Sequence, residues 1–152
     1  MSSSRPPPQA RTASGTCPRA PRALVIEDAA ELREVLALEL ELAGFVTASA
    51  ADGQQGLEIV QRLEPDAIVL DLMLPTLSGF VVARSVRALK HGQNAAIVAL
   101  SGLTSEAMRM EALSVGCDVY VAKPVSPAEV VVHVRYALAQ RRSTVANIVR
   151  KS

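Results

Sequence analysis

The sequence predicts an α/β fold in which five parallel strands form one doubly wound, three-layer (βα)5 sheet with helices on both faces. Three observations predict it. Four short apolar runs, Ala23-Leu24-Val25-Ile26, Ala67-Ile68-Val69-Leu70, Ala96-Ile97-Val98-Ala99-Leu100 and Val119-Tyr120-Val121-Ala122, are continuous rather than alternating, as strands are when both faces of a sheet are covered. Longer amphipathic stretches separate them, the rhythm of successive βα units. Each run also ends in a polar residue suited to phosphate chemistry: Glu27-Asp28, Asp71, Ser101 and Lys123-Pro124. Because ligands of open α/β sheets bind beyond the carboxyl ends of the strands, three carboxylates, a hydroxyl and an ammonium are expected to meet at one edge.

The elements follow in order. After the first strand, residues 29–43 are expected to be helical, since Leu32, Val35, Leu36, Leu40 and Ala43 recur at three- and four-residue spacing and Asp28 is placed to cap them. Gly44 ends this helix, and residues 45–50 form the second strand. Asp52 caps a second helix whose Leu57, Val60 and Leu63 share one face, and Pro65 stops it. Beyond Asp71, Leu74-Pro75-Thr76-Leu77-Ser78-Gly79 is turn-rich, which places the third helix at 80–90 with His91-Gly92 closing the unit. A fourth helix at 105–115 ends at Gly116, and Asp118 opens the fifth strand. Pro127 suits the first turn of a last helix, expected to run to about Arg142.

The 152 residues, 49% of them hydrophobic, suffice for one globular core. Residues 1–21 hold five of the nine prolines among Ser, Thr, Gly and Arg, the composition of a disordered arm. The domain is expected over 22–142, followed by a short, weakly structured basic tail at 143–152. All fifteen acids and only nine bases fall in 22–140, a net of −6, whereas the two ends carry seven bases and no acid. An acidic body with 3% aromatics and no Trp lacks the stacking platforms of a single-strand binder, so no nucleic-acid binding by the core is expected. No apolar run reaches membrane-spanning length and no secretory h-region is present, which points to no membrane association and a cytoplasmic protein. Cys17 and Cys117 make neither a metal spacing nor a disulfide framework, and Cys117 reads as a small core hydrophobe. His91 and His133 fall away from the strand ends, so no Ser-His-Asp arrangement is available.

Glu27, Asp28 and Asp71 leave adjacent strand ends and repel one another. Two unit charges 4 Å apart interact by about 4 kcal/mol at an effective dielectric near 20, so such a cluster takes up a proton or recruits a cation. An all-oxygen site with few protein ligands suits Mg²⁺ (or Mn²⁺), which keeps several waters and bridges to phosphate. Lys123 adds a point charge for a phosphoryl oxygen, and Ser101 adds one hydroxyl donor.

These motifs resemble those of the receiver domain of bacterial two-component response regulators. The resemblance covers residues 22–142 and rests on Val25-Ile26-Glu27-Asp28, Asp71-Leu72-Met73-Leu74-Pro75 with Gly79, Ala99-Leu100-Ser101-Gly102 and Tyr120-Val121-Ala122-Lys123-Pro124. It implies a flavodoxin-like sheet of order 2-1-3-4-5, with Asp71 accepting a phosphoryl group from a histidine kinase or histidine phosphotransfer protein. It further implies Mg²⁺ held by Asp28, Asp71 and the Met73 backbone carbonyl, with Glu27 acting directly or through water. Lys123 would pair with the phosphoryl oxygens, and Ser101 and the Gly102 amide would contact them. Ser101 and Tyr120 would form the switch, Tyr120 turning inward on activation, and the Lys123-Pro124 peptide would be cis.

Three departures stand out: Glu27 where Asp is frequent, Gly102 where Ala is usual, and apolar Met73 and Leu103 at positions that tune phosphoryl lifetime. The last leads us to expect a comparatively long-lived aspartyl phosphate. The leading functional expectation is a stand-alone receiver that contacts a downstream protein target when phosphorylated, with Leu38 and Leu42 placed to extend an apolar strip beside the first helix's core face. One alternative is the receiver of a transcription regulator whose output is supplied elsewhere, with a homodimer through the fourth helix, fifth strand and fifth helix serving either case, although Val130, Val131 and Val134 are better suited to pack on the sheet. Another is an Asp-nucleophile phosphatase. Met73, standing where such hydrolases carry a second acid, argues against it.

Overall fold

The alternation of side chains along each strand sorts the core onto two faces of one sheet. A computed structural model describes residues 19–151. The chain runs β1 (Arg22–Ile26), α1 (Ala30–Leu42), β2 (Val46–Ala50), α2 (Gly53–Leu63), β3 (Ala67–Asp71), α3 (Gly79–Ala88), a 3-10 turn at Lys90–Gly92, β4 (Ala96–Ser101), α4 (Glu106–Ser114), β5 (Val119–Ala122) and α5 (Pro127–Lys151). All pairings are parallel, in the order β2-β1-β3-β4-β5. Leu24, Ile26, Ile68, Leu70, Ile97 and Ala99 point to one face, where Val60 of α2, Val82 and Val86 of α3 and Ala112 of α4 cover them. Ala23, Val25, Val69, Val98 and Leu100 point to the other, under Leu36 and Leu40 of α1 and Val130, Val134 and Leu138 of α5. Each large aliphatic side chain so buried contributes about 1.5–3 kcal/mol.

Register brings the functional edge together. Ile26 pairs with Leu70, Leu70 with Ala99 and Asp71 with Leu100, while Ser101 pairs with Ala122. The residues that follow or close β1, β3, β4 and β5 therefore lie level with one another.

Local differences from the sequence expectation have identifiable causes. Asp28 does not cap α1: the N-cap is Ala29, without a side-chain bond, because the Asp28 carboxylate belongs to the acidic cluster described below. Val35 faces solvent, and Leu36 and Leu40 carry the buried stripe. Asp52 caps α2 as expected, accepting from the Gln55 N–H at 2.8 Å. Helix α5 does not stop near Arg142 but continues to Lys151; no Gly or Pro follows Pro127 to break it. At the other end, Arg19 forks onto Asp66 at 2.9 and 3.3 Å, and the Pro21 carbonyl accepts from Val46 N at 2.8 Å. Residues 19–21 thus belong with the domain rather than with the expected arm, the rest of which lies outside the described residues. At the sheet's opposite edge Arg87 donates to the carbonyls of Gly92, Ala95 and Gly116 and to Asp118, which also receives Arg141.

Candidate functional site

Asp71 closes β3, the central strand, and is only 4% exposed. Its Oδ1 accepts from the Met73 N–H at 2.9 Å, and its Oδ2 lies 3.4 Å from Lys123 Nζ. Glu27, the residue after β1, is 1% exposed; its Oε1 receives Lys123 Nζ at 2.8 Å and its Oε2 the Ala29 N–H at 3.2 Å. Asp28 stands exposed at the mouth. One carboxylate oxygen from each of Glu27, Asp28 and Asp71 lies within 4.8 Å of the others.

The electrostatics follow from this crowding. Burial pushes the Glu27 carboxyl above its usual range, and the Asp71 charge adds to the rise, which the Lys123 and Ala29 bonds only partly offset. Burial acts to lower the Lys123 ammonium, but its bond to Glu27 and the charge of Asp71 outweigh it and hold the ammonium above its ordinary value. Three carboxylates face one ammonium, so the pocket keeps negative charge. Hard oxygen donors, one of them exposed to water at Asp28, fit a small divalent cation that retains part of its hydration. Glu27 has both oxygens hydrogen-bonded and Asp71 has one bonded to the Met73 N–H and the other 3.4 Å from the Lys123 ammonium, which leaves Asp28 as the freest carboxylate.

A second group surrounds Leu103. Ser101 is fully buried at the end of β4, and its Oγ accepts from the Leu103 N–H at 3.1 Å. The half-buried Tyr120 donates its hydroxyl to the Leu103 carbonyl. Backbone joins this group to the first: Lys123 N donates to Ser101 O at 2.7 Å. Gly102 is exposed, with nothing within 4 Å of the position a Cβ would take, so no steric demand explains glycine there. Met73 and Leu103 are both exposed, and the Lys123-Pro124 peptide is cis. His91 pairs with Glu64 at 2.6 Å beside the turn that precedes β4, away from the site. Sequence reasoning missed Arg33, whose guanidinium reaches back to the carbonyls of Glu27 and Asp28, and it missed the part played by the Leu103 backbone.

A parallel sheet of order 2-1-3-4-5 whose central strand ends in a buried aspartate, beside two further acids and a lysine, defines a class of doubly wound α/β domain with an acidic site at the carboxyl edge of its sheet. The model of the response regulator receiver domain matches residues 23–135, and the chain belongs to that family. Among curated proteins, the DNA-binding response regulator MtrA of Mycobacterium tuberculosis (strain ATCC 25618 / H37Rv) is 41% identical over 117 residues, 77% of this chain and 50% of that protein. The chain spans about half the length of the curated relatives it matches. A CheY-like receiver domain protein from Methanospirillum hungatei JF-1 shares the fold, with a TM-score of 0.77 at 21% identity over 83% of this chain and 99% of that one. The receiver domain of the sensor histidine kinase PA1611 from Pseudomonas aeruginosa PAO1, solved with a magnesium ion coordinated in its active site cleft, matches with a TM-score of 0.71 at 29% identity, covering 80% of this chain and 99% of that one.

Proposed function

We propose that Asp71 is the phosphoacceptor of this receiver, taking a phosphoryl group from the phosphohistidine of a histidine kinase or histidine phosphotransfer protein. The observation that carries the proposal is the placement of Asp71 at the end of the central strand, within the three-acid cluster and beside Lys123. An Asp71 carboxylate oxygen attacks phosphorus, the N–P bond of the donor breaks, and the imidazole departs with the electron pair and is protonated by solvent. Such transfer needs in-line placement and charge neutralisation more than covalent assistance. Lys123 turns its ammonium from Glu27 toward the incoming oxygens, with Ser101 Oγ and the Gly102 amide as further donors. Asp28, Asp71 and the Met73 carbonyl would hold Mg²⁺ or Mn²⁺, with Glu27 acting directly or through water, and the ion would supply the rest of the charge neutralisation. The domain so described acts only on its own phosphorylation and dephosphorylation and works in the cytoplasm.

Phosphorylation adds roughly −1.5 to −2 charges and new acceptor oxygens. When Ser101 leaves the Leu103 N–H to meet them, the β4–α4 loop loses a tether, and Tyr120, bonded to the Leu103 carbonyl, moves with it. Coupling of this kind amounts to about 1–3 kcal/mol, and a downstream protein target reads the changed surface. Val130 and Val134 are buried, so a homodimer through the fourth helix, fifth strand and fifth helix must use the exposed Met110, Leu113, Val132 and Tyr136 instead. The half-length match to a DNA-binding regulator favours a second reading, in which the domain governs a transcriptional output carried elsewhere. Among the described residues no helix is long and apolar enough to cross a membrane.

Incubation with acetyl phosphate and Mg²⁺ tests the assignment. The intact mass should rise by one phosphoryl group, and neither Asp71→Ala nor chelator-treated protein should gain it; equal labelling of Asp71→Ala would remove Asp71 from the role.

A further inference from the structure

We infer that Arg33 is a positioning residue for the divalent-cation site, holding the β1–α1 loop so that the Glu27 and Asp28 carboxylates face Asp71. The inference rests on the phosphoacceptor reading above. Arg33 lies in the opening turns of α1, and its side chain turns back past the helix start, where Nη1 donates to the Glu27 carbonyl at 2.8 Å and to the Asp28 carbonyl at 3.3 Å. By the rules of an isolated helix this is the wrong place for a cation, because the N-terminus already carries the positive end of the macrodipole. The helix has no side-chain cap at Ala29 either. What the arrangement does is hold the backbone of two consecutive site residues from one half-buried guanidinium. With both carbonyls held, the two successive peptide units that lead to the Ala29 N–H are fixed, the second of them its own, and that N–H bonds Glu27 Oε2, which orients that carboxylate within the cluster. The three acids repel one another; Lys123 and the Ala50 carbonyl restrain Glu27, and Arg33 adds the hold on the carbonyls of both Glu27 and Asp28.

Two roles for Arg33 predict opposite signs. As a nearby charge alone it repels a divalent cation, and its removal strengthens metal binding. As a positioning group it behaves like the outer partners of metal ligands, whose loss weakens affinity by about 10–100-fold. The test is a Mn²⁺ titration of the full chain followed by electron paramagnetic resonance, comparing wild type, Arg33→Gln and Arg33→Lys, together with amide hydrogen exchange of residues 28–30 in metal-free protein. We expect Arg33→Gln to bind Mn²⁺ about tenfold or more weakly and to exchange faster in the loop, with Arg33→Lys recovering part of the affinity. If Arg33→Gln does not fold, Arg33→Met, which keeps the aliphatic stem, is read the same way. Mn²⁺ binding by the neutral variant as tight as wild type, or tighter, overturns the inference. Folded wild type that binds no Mn²⁺ overturns the metal-site reading beneath it, an outcome distinct from the first.

Discussion

Gly79 is the position where a single methyl group tests the geometry of the site. An ideal Cβ built there would lie 2.5 Å from the Asp71 carbonyl oxygen, 2.5 Å from Leu72 Cα and 3.1 Å from the Asp71 carbonyl carbon. All three are backbone atoms and cannot rotate away. The Gly79 N–H also donates to the Leu72 carbonyl at 3.1 Å, so the start of α3 is tied to the same segment. Non-bonded carbon contacts settle near 3.5–4.0 Å, so Gly79→Ala must push the Asp71–Leu72 backbone and α3 apart by about an ångström. Overpacking of this kind costs about 1–3 kcal/mol, measurable as a lower urea midpoint. A misplacement of about 1 Å at reacting groups costs on the order of a hundredfold in rate, so phosphorylation by acetyl phosphate, followed by intact mass, should slow by about that factor. Gly102→Ala is the control, since nothing lies within 4 Å of its Cβ position, and it should leave both the midpoint and the rate near wild type. Wild-type phosphorylation by folded Gly79→Ala would refute the claim that this contact sets the position of Asp71.

Three further outcomes are expected. Arg87→Ala should destabilise the domain by about 3 kcal/mol, at the lower end for breaking a buried charge pair because Arg141 still reaches Asp118; the phosphorylation rate of the folded fraction should be unchanged, since the network sits at the opposite edge, and a loss of under about 1 kcal/mol in urea melts would contradict this. Burial pushes the Cys117 thiol up to about 12, whereas in the unfolded chain it ionises near 8.5, so the unfolded state loses its proton first and stability falls as pH rises through that window; Cys117→Ala should flatten the fall in urea midpoints between pH 8 and 10, and an unchanged slope would count against the buried thiol. With Met73 and Leu103 exposed and apolar, neither side chain can position a hydrolytic water, so the aspartyl phosphate should persist and polar replacements at both should shorten its lifetime, as read by loss of the phosphoryl mass over time.

The strands were legible because burial on both faces leaves continuous aliphatic runs, and β3 and β4 are buried throughout. Strand β2, Val-Thr-Ala-Ser-Ala at the sheet edge and mostly uncovered, has no such run; its place between Gly44 and Asp52 located it. The acidic cluster was legible for the same reason as the strands, since a parallel sheet projects its strand ends to one side. What pairs with what was not. The bond between Lys123 and Glu27 joins residues 96 positions apart, and it leaves Glu27 with both oxygens partnered, which composition and spacing do not encode. Arg33 and Arg87 act on backbone carbonyls, and a carbonyl has no sequence signature. The end of α5 was missed although residues 143–152 hold no Gly or Pro and Val145, Ile148 and Val149 keep helical spacing, because ten residues with so few apolar positions read as a tail until the preceding helix extends them.

The most direct test of the central claim is borohydride trapping after incubation with acetyl phosphate and Mg²⁺, which reduces an acyl phosphate to an alcohol, followed by peptide mapping. The reduced side chain should be found at position 71, and it should be absent when a chelator replaces Mg²⁺. Reduction at Asp28 or Glu27 with Asp71 intact, or labelling that persists in the chelator, would contradict it.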